Sequence, residues 1–87
     1  MTLEEKRAQI DKIDHEIIDL LKVRIETSRE IGAIKKEMNI PLLDKGRYDK
    51  LLQDRITQGV SGGIPKEVIV QIWNSIHQWS LMVQRNV

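Results

Sequence analysis

Seven polar residues carry the chemistry open to this chain: Arg7, Arg24, Lys35, Asp44, Arg47, Ser80 and Gln84. Four of them are cations, and most lie inside or beside apolar helical stripes, where packing alone has no use for charge. Guanidinium and ammonium groups that converge beside hydroxyl and amide donors make a pocket for a small dianion. Arg24 and Lys35 are eleven residues apart. At about 100° per residue they point within roughly 20° of one another, so both heads can reach one ligand. Arg7 precedes Arg24 by seventeen residues, a rotation of about 100° that turns it elsewhere, for example into the symmetry-related site of a dimer. Ser80 and Gln84 stand at i and i+4 and share one helix face.

Each of these residues also has a plainer reading. Arginines and lysines on an arbitrary helix are mostly solvated or salt-bridged. Here Arg24 interrupts the apolar run Leu20-Leu21-Val23-Ile25, which favours a buried role. Asp44 reads first as a helix N-cap, and Arg47 could pair with Asp44 or Asp54. His15 and His77 are isolated in sequence and read as structural or exposed. Trp73 and Trp79 read as core or interface residues. No nucleophile stands near a base and no metal-ligand spacing occurs. A reaction on this chain would need no cofactor and would rest on positioning and placed charge.

The elements that must hold these groups are helices. Ile10, Ile13, Ile17, Leu20, Leu21, Ile31 and Ile34 recur at helical spacing, predicting one helix over Leu3–Met38. Thr2 followed by Glu5 fits a capping box at its start, and Asn39 then Pro41 fit its end. Such a helix is about 54 Å long at 1.5 Å per residue, against a radius of gyration of about 12 Å for a compact globule of this size. It must protrude, and an intertwined homodimer would cover its apolar face. A second helix is predicted over Lys45–Gln58, followed by a turn through Gly59-Val60-Ser61-Gly62-Gly63. A third runs from Pro65 to about Arg85, with Pro65 in its first turn. The expected fold is all-α, with three helices per chain in one domain, residues 1–87.

Bulk properties narrow the function classes. The 87 residues leave no room for a second domain. There is no cysteine, hence no disulfide, thiolate nucleophile or cysteine zinc site. Net charge is +1, with acids and bases interspersed and only three aromatic residues, Tyr48, Trp73 and Trp79. That balance argues against nucleic acid as a partner. The segment Ser28–Lys36 could pass for a recognition helix, but the helix upstream of it is continuous. The N-terminus has no apolar signal region, and no stretch reaches membrane-span length. A soluble, unprocessed cytoplasmic chain is expected, and its start at Met and end just past Gln84 read as complete.

Five fragments in order then acquire a joint meaning: Arg7-x-x-Ile10-Asp11-x-Ile13-Asp14, Leu20-Leu21-x-x-Arg24, Ile31-Gly32-x-x-Lys35, Pro41-x-x-Asp44-x-x-Arg47 and Ser80-x-x-x-Gln84. Together they resemble the all-helical, type II chorismate mutase family, and the likeness runs from Arg7 to Gln84. The resemblance implies an intertwined dimer of three-helix chains and the Claisen rearrangement of chorismate to prephenate, in phenylalanine and tyrosine biosynthesis. By similarity, Arg24 and Ser80 would hold the ring carboxylate. Arg7 from the partner chain, with Lys35, would hold the enolpyruvyl carboxylate. Lys35 and Gln84 would donate to the ether oxygen, which gains negative charge in the transition state. Asp44 and Arg47 would border the C4 hydroxyl. Family members are often fused to other aromatic-pathway enzymes.

One position departs from the pattern. The family commonly carries glutamate after the second-helix arginine, where it binds the C4 hydroxyl. This chain has Tyr48, a neutral and bulkier group that can still donate or accept. The departure keeps two same-fold alternatives open: action on 4-amino-4-deoxychorismate, and pyruvate elimination from isochorismate. A non-catalytic dimerisation or DNA-binding module is the alternative of a different class.

Overall fold

The computed structural model describes residues 1–87 and contains three helices: α1 (Leu3–Met38), α2 (Lys45–Ser61) and α3 (Lys66–Arg85). The bounds of α1 are those its periodicity predicts. Thr2 is extended and its hydroxyl oxygen accepts from the Glu5 N–H at 3.1 Å. The Glu5 carboxylate accepts from the Thr2 hydroxyl at 3.2 Å, so only half of the expected capping box forms. At the other end Asn39 takes a left-handed conformation, φ 57°. The Ile40 N–H donates to the Lys35 carbonyl at 2.8 Å, and the Asn39 N–H to the Lys36 carbonyl at 3.3 Å. This Schellman closure folds the chain back along the last turn of α1. It brings the short loop to α2 beside Lys35.

α2 begins where expected, with Asp44 accepting from the Arg47 N–H at 3.0 Å. It ends three residues later than the sequence suggests, at Ser61 rather than Gln58. The expected turn over Gly59–Gly63 is therefore a correction: only Gly62 and Gly63 form it, with Gly63 at φ 87°. Gly59 is helical and buried. A Cβ there would lie 2.4 Å from Ile69 Cδ1, so this glycine admits α3 to close approach and does not break the helix. α3 starts at Lys66, with Pro65 as the residue just outside it.

α3 is the common partner, packing on α1 and on α2, which do not pack on one another. Gly32 of α1 plays against Gln84 the part that Gly59 plays against Ile69. The apolar core of one chain is small: Ile25 and Ile69 are its only buried hydrophobic residues. The first half of α1 is exposed throughout, and Ile10, Ile13 and Ile17 are about half exposed. The chain measures 55 × 24 × 14 Å with a radius of gyration of 16.1 Å, well above the roughly 12 Å of a compact globule. Trp73 is half-buried, whereas Trp79 is 39% exposed and has no core role within one chain. Ser28–Lys36 lie inside unbroken α1, without the short preceding helix of a helix-turn-helix. No helix is long and apolar enough to cross a membrane.

Candidate active site

The lower half of α1, the α1–α2 loop, α2 and the end of α3 enclose a cleft of about 290 Å³. α1 contributes Arg24, Ser28, Ile31 and Lys35, which recur at i, i+4, i+7 and i+11 and so form one stripe. α3 contributes a second stripe of His77, Ser80, Leu81 and Gln84. Leu42 and Asp44 come from the loop, and Arg47, Tyr48 and Leu51 from α2. Seven of the eight residues singled out in the sequence thus meet in one place. Arg7 does not: it is exposed on the free half of α1, as its rotation from Arg24 requires.

The hydrogen bonds show how the stripes lock together. Arg24 Nη1 donates to Ser80 Oγ at 3.0 Å, and the Ser28 hydroxyl donates to the same oxygen at 3.1 Å. Ser28 and Ser80 are both buried. Lys35 Nζ donates to the Leu42 carbonyl at 2.7 Å, which pins the loop over the end of the cleft. Asp44 is engaged as the α2 cap through one carboxylate oxygen. Gln84 Oε1 is buried with no hydrogen-bond partner. Buried amides seldom lack partners, and such an orphan is a mark of a functional site.

Four ion pairs form in the chain, Lys22–Asp19, Arg29–Glu26, Lys45–Asp49 and Arg55–Asp54. None involves Arg7, Arg24, Lys35 or Arg47. The pairing of Arg47 with Asp44 or Asp54 that spacing allows does not occur. Three cations therefore face one cleft in which Asp44, ion-paired with none of them, is the only carboxylate. Their field is felt by their neighbours. Burial lowers the Arg24 pKa, and the nearby Arg55 adds to the effect; an arginine remains charged all the same. Burial also lowers the His77 pKa, with further contributions from Arg24 and Lys35. The Tyr48 phenol is raised by burial and by Asp49.

With no nucleophile or general base set against a reactive partner, the cleft can bind and orient an anion and place donors against it. The whole of this framework lies within a match to the family described as chorismate mutase type II, over residues 6–85. The chain belongs to the type II chorismate mutase family. It is 33% identical over 90 residues to the bifunctional chorismate mutase/prephenate dehydratase of Aquifex aeolicus, covering 98% of this chain and 24% of that protein. It is 37% identical over 54 residues to the chorismate mutase of Methanocaldococcus jannaschii, covering 62% of this chain and 54% of that one. A solved structure of a conserved hypothetical protein from Pyrococcus furiosus superposes with a TM-score of 0.77 at 37% identity, covering 97% of this chain and 96% of its own. The chain thus spans about a quarter of the bifunctional relative.

Two polar residues of this type II chorismate mutase cleft escaped the sequence reading. Ser28 carries a signal that was available, four residues after Arg24 and seven before Lys35 on the same face. His77 corrects an expectation: it is neither isolated nor merely exposed. It lines the cleft and stacks on Tyr48, with ring centroids 3.7 Å apart and planes 13° from parallel. Its place three residues before Ser80 and seven before Gln84 puts it on their stripe. The Tyr48 hydroxyl donates to Asn74 Oδ1, so the phenol head is held by α3.

Proposed function

We propose that the chain rearranges chorismate to prephenate as an intertwined homodimer. The observation that carries this reading is the group of three cations, Arg24, Lys35 and Arg47, facing one small cleft with no carboxylate partners. Its volume of about 290 Å³ is near the lower end of small-molecule sites. A dicarboxylate supplies the missing counter-charge. Arg24, already held by Ser80, grips the ring carboxylate with that hydroxyl. Lys35 and Arg7 of the partner subunit grip the enolpyruvyl carboxylate. Lys35 and Gln84 donate to the ether oxygen. Held in the folded, chair-like conformer, the substrate forms its new C–C bond as the C–O bond breaks. The ether oxygen gains charge along the way, and donors aimed at it bind that state better than the ground state. Arg47 and the end of the loop at Asp44 border the C4 hydroxyl.

The dimer is supported by the bare half of α1. Ile10, Ile13 and Ile17 are about half exposed, so completing the burial of each gains about half of what a fully exposed side chain would, roughly 1 kcal/mol. A second copy laid along this stripe would cover it and carry Arg7 of the partner subunit to the open side of the cleft. The fusions named for the relatives make association with other aromatic-pathway enzymes part of the same proposal.

The test is the loss of chorismate absorbance with purified protein, with the product identified by acid conversion to phenylpyruvate. Saturable formation of prephenate is expected. A folded protein that leaves chorismate untouched but consumes 4-amino-4-deoxychorismate, or releases pyruvate from isochorismate, would replace this reading.

A further inference from the structure

We propose that His77 is a substrate-contacting residue that reads a ring hydroxyl by accepting its hydrogen bond. The imidazole is half-buried in the cleft wall. Stacking on Tyr48 fixes its plane, and the Tyr48 hydroxyl is itself held by Asn74. Neither ring nitrogen hydrogen-bonds to any group of the chain, although a half-buried imidazole has given up part of its water.

The other polar groups of the cleft are committed or of the wrong kind. Arg24, Ser28 and Ser80 are joined to one another, and Lys35 is bound to the Leu42 carbonyl. Arginine and lysine donate and cannot accept. One Asp44 oxygen caps α2, which leaves its second oxygen as the one other free acceptor on the loop side, and the Tyr48 hydroxyl is used on α3. The buried Gln84 carbonyl lies at the far end of the α3 stripe, seven residues from His77. A dianion satisfies the cations through its carboxylates. A hydroxyl on the same ligand needs an acceptor, and the neutral imidazole offers one on the wall opposite α1. Burial and the cations of α1 keep the ring neutral near pH 7, so its lone pair is available. This inference rests on the mutase reading for the identity of the ligand.

Two measurements decide it. The first compares kcat/KM for chorismate and for its 4-deoxy analogue in the wild type, His77→Phe and His77→Gln. Phenylalanine keeps the stack on Tyr48 and removes the lone pair; glutamine restores an acceptor. The preference for chorismate over the analogue should fall about tenfold in His77→Phe, the factor carried by one ordinary hydrogen bond, and largely return in His77→Gln. An unchanged preference in His77→Phe overturns the proposal, since a structural role would affect both substrates alike. The second uses the wild type alone, so it stands even if a variant fails to fold. Of the two histidines, His15 lies on the exposed half of α1. Saturating chorismate should move the imidazole nitrogen resonances of His77, and a His77 that does not respond overturns the contact. If the wild type fails to turn chorismate over while His77 still responds to it, the mutase reading falls and the contact stands.

Discussion

Gly32→Ala tests whether helix packing sets the position of Gln84, the proposed donor to the ether oxygen. A Cβ at Gly32 would lie 2.8 Å from Gln84 Cα and 3.1 Å from the Gln84 carbonyl oxygen. Both are backbone atoms of α3 and cannot swing aside. Ordinary contact begins at 3.4 Å, so α1 and α3 must part by about 0.6 Å at the turn that aims Gln84 into the cleft. A displacement of about 1 Å at a positioned group costs about 10² in rate. The expected loss in kcat/KM is therefore about ten- to a hundredfold, by the same scaling. Stability should suffer less. Alanine is the better helix former by about 0.8–1 kcal/mol, which offsets part of an overpacking cost of about 1–3 kcal/mol. Gly59→Ala is the matched control. Its Cβ meets Ile69 Cδ1 at 2.4 Å, a clash with a side chain in the α2–α3 contact, and Gly59 does not line the cleft. The assay is chorismate turnover well below the melting transition, with circular dichroism melts at one protein concentration. Gly59→Ala should lose stability and keep its kinetics; Gly32→Ala should lose both. Wild-type kcat/KM in a folded Gly32→Ala protein would refute the reasoning, as would equal kinetic losses in both variants.

Lys35→Ala should lower kcat by about 10²–10³, the effect of removing one donor from a developing oxyanion, with helical content unchanged by circular dichroism; near-normal turnover would remove Lys35 from the chemistry. Arg7→Ala and Arg24→Ala, each inactive alone, should regain about a quarter of wild-type activity when refolded together, because half the dimers are mixed and each mixed dimer rebuilds one of its two sites. Failure to recover, with heterodimers verified by mass, would place both arginines in the same chain's site. Stability should fall as pH drops below the ordinary histidine value of about 6.5. His77 is held low in the folded chain, so there the unfolded chain binds more protons than the folded one. Above about pH 7 the contribution is absent, and thermal melts of His77→Phe should lack this acid-side loss.

The parts of this structure that were legible in the sequence are those governed by local rules. The span of α1, the Thr2 and Asp44 caps and the end of α1 at Asn39 follow from periodicity and capping chemistry, which act over a few residues. The common faces of Arg24 with Lys35 and of Ser80 with Gln84 follow from helix geometry, and the resemblance drew in Tyr48. What failed depended on contacts between helices. Gly59 reads as a turn residue until Ile69 is seen resting on it. His77 reads as solitary until α2 brings Tyr48 onto its face. Ser28 is an unremarkable helix serine until α3 delivers Ser80. A glycine or histidine has the same letter in either role, and only the partner helix decides between them.

The bond from Lys35 to the Leu42 carbonyl has a consequence for how affinity arises. A free lysine side chain carries about 2 kcal/mol of rotamer entropy, and immobilising it when a ligand arrives would weaken binding. Here most of that freedom is removed when the loop folds over the end of α1, before any ligand is present. The ordering cost is moved from the binding equilibrium to the folding equilibrium. Substitutions that loosen this loop should therefore weaken the ligand without touching it, while making the empty protein no less easy to fold.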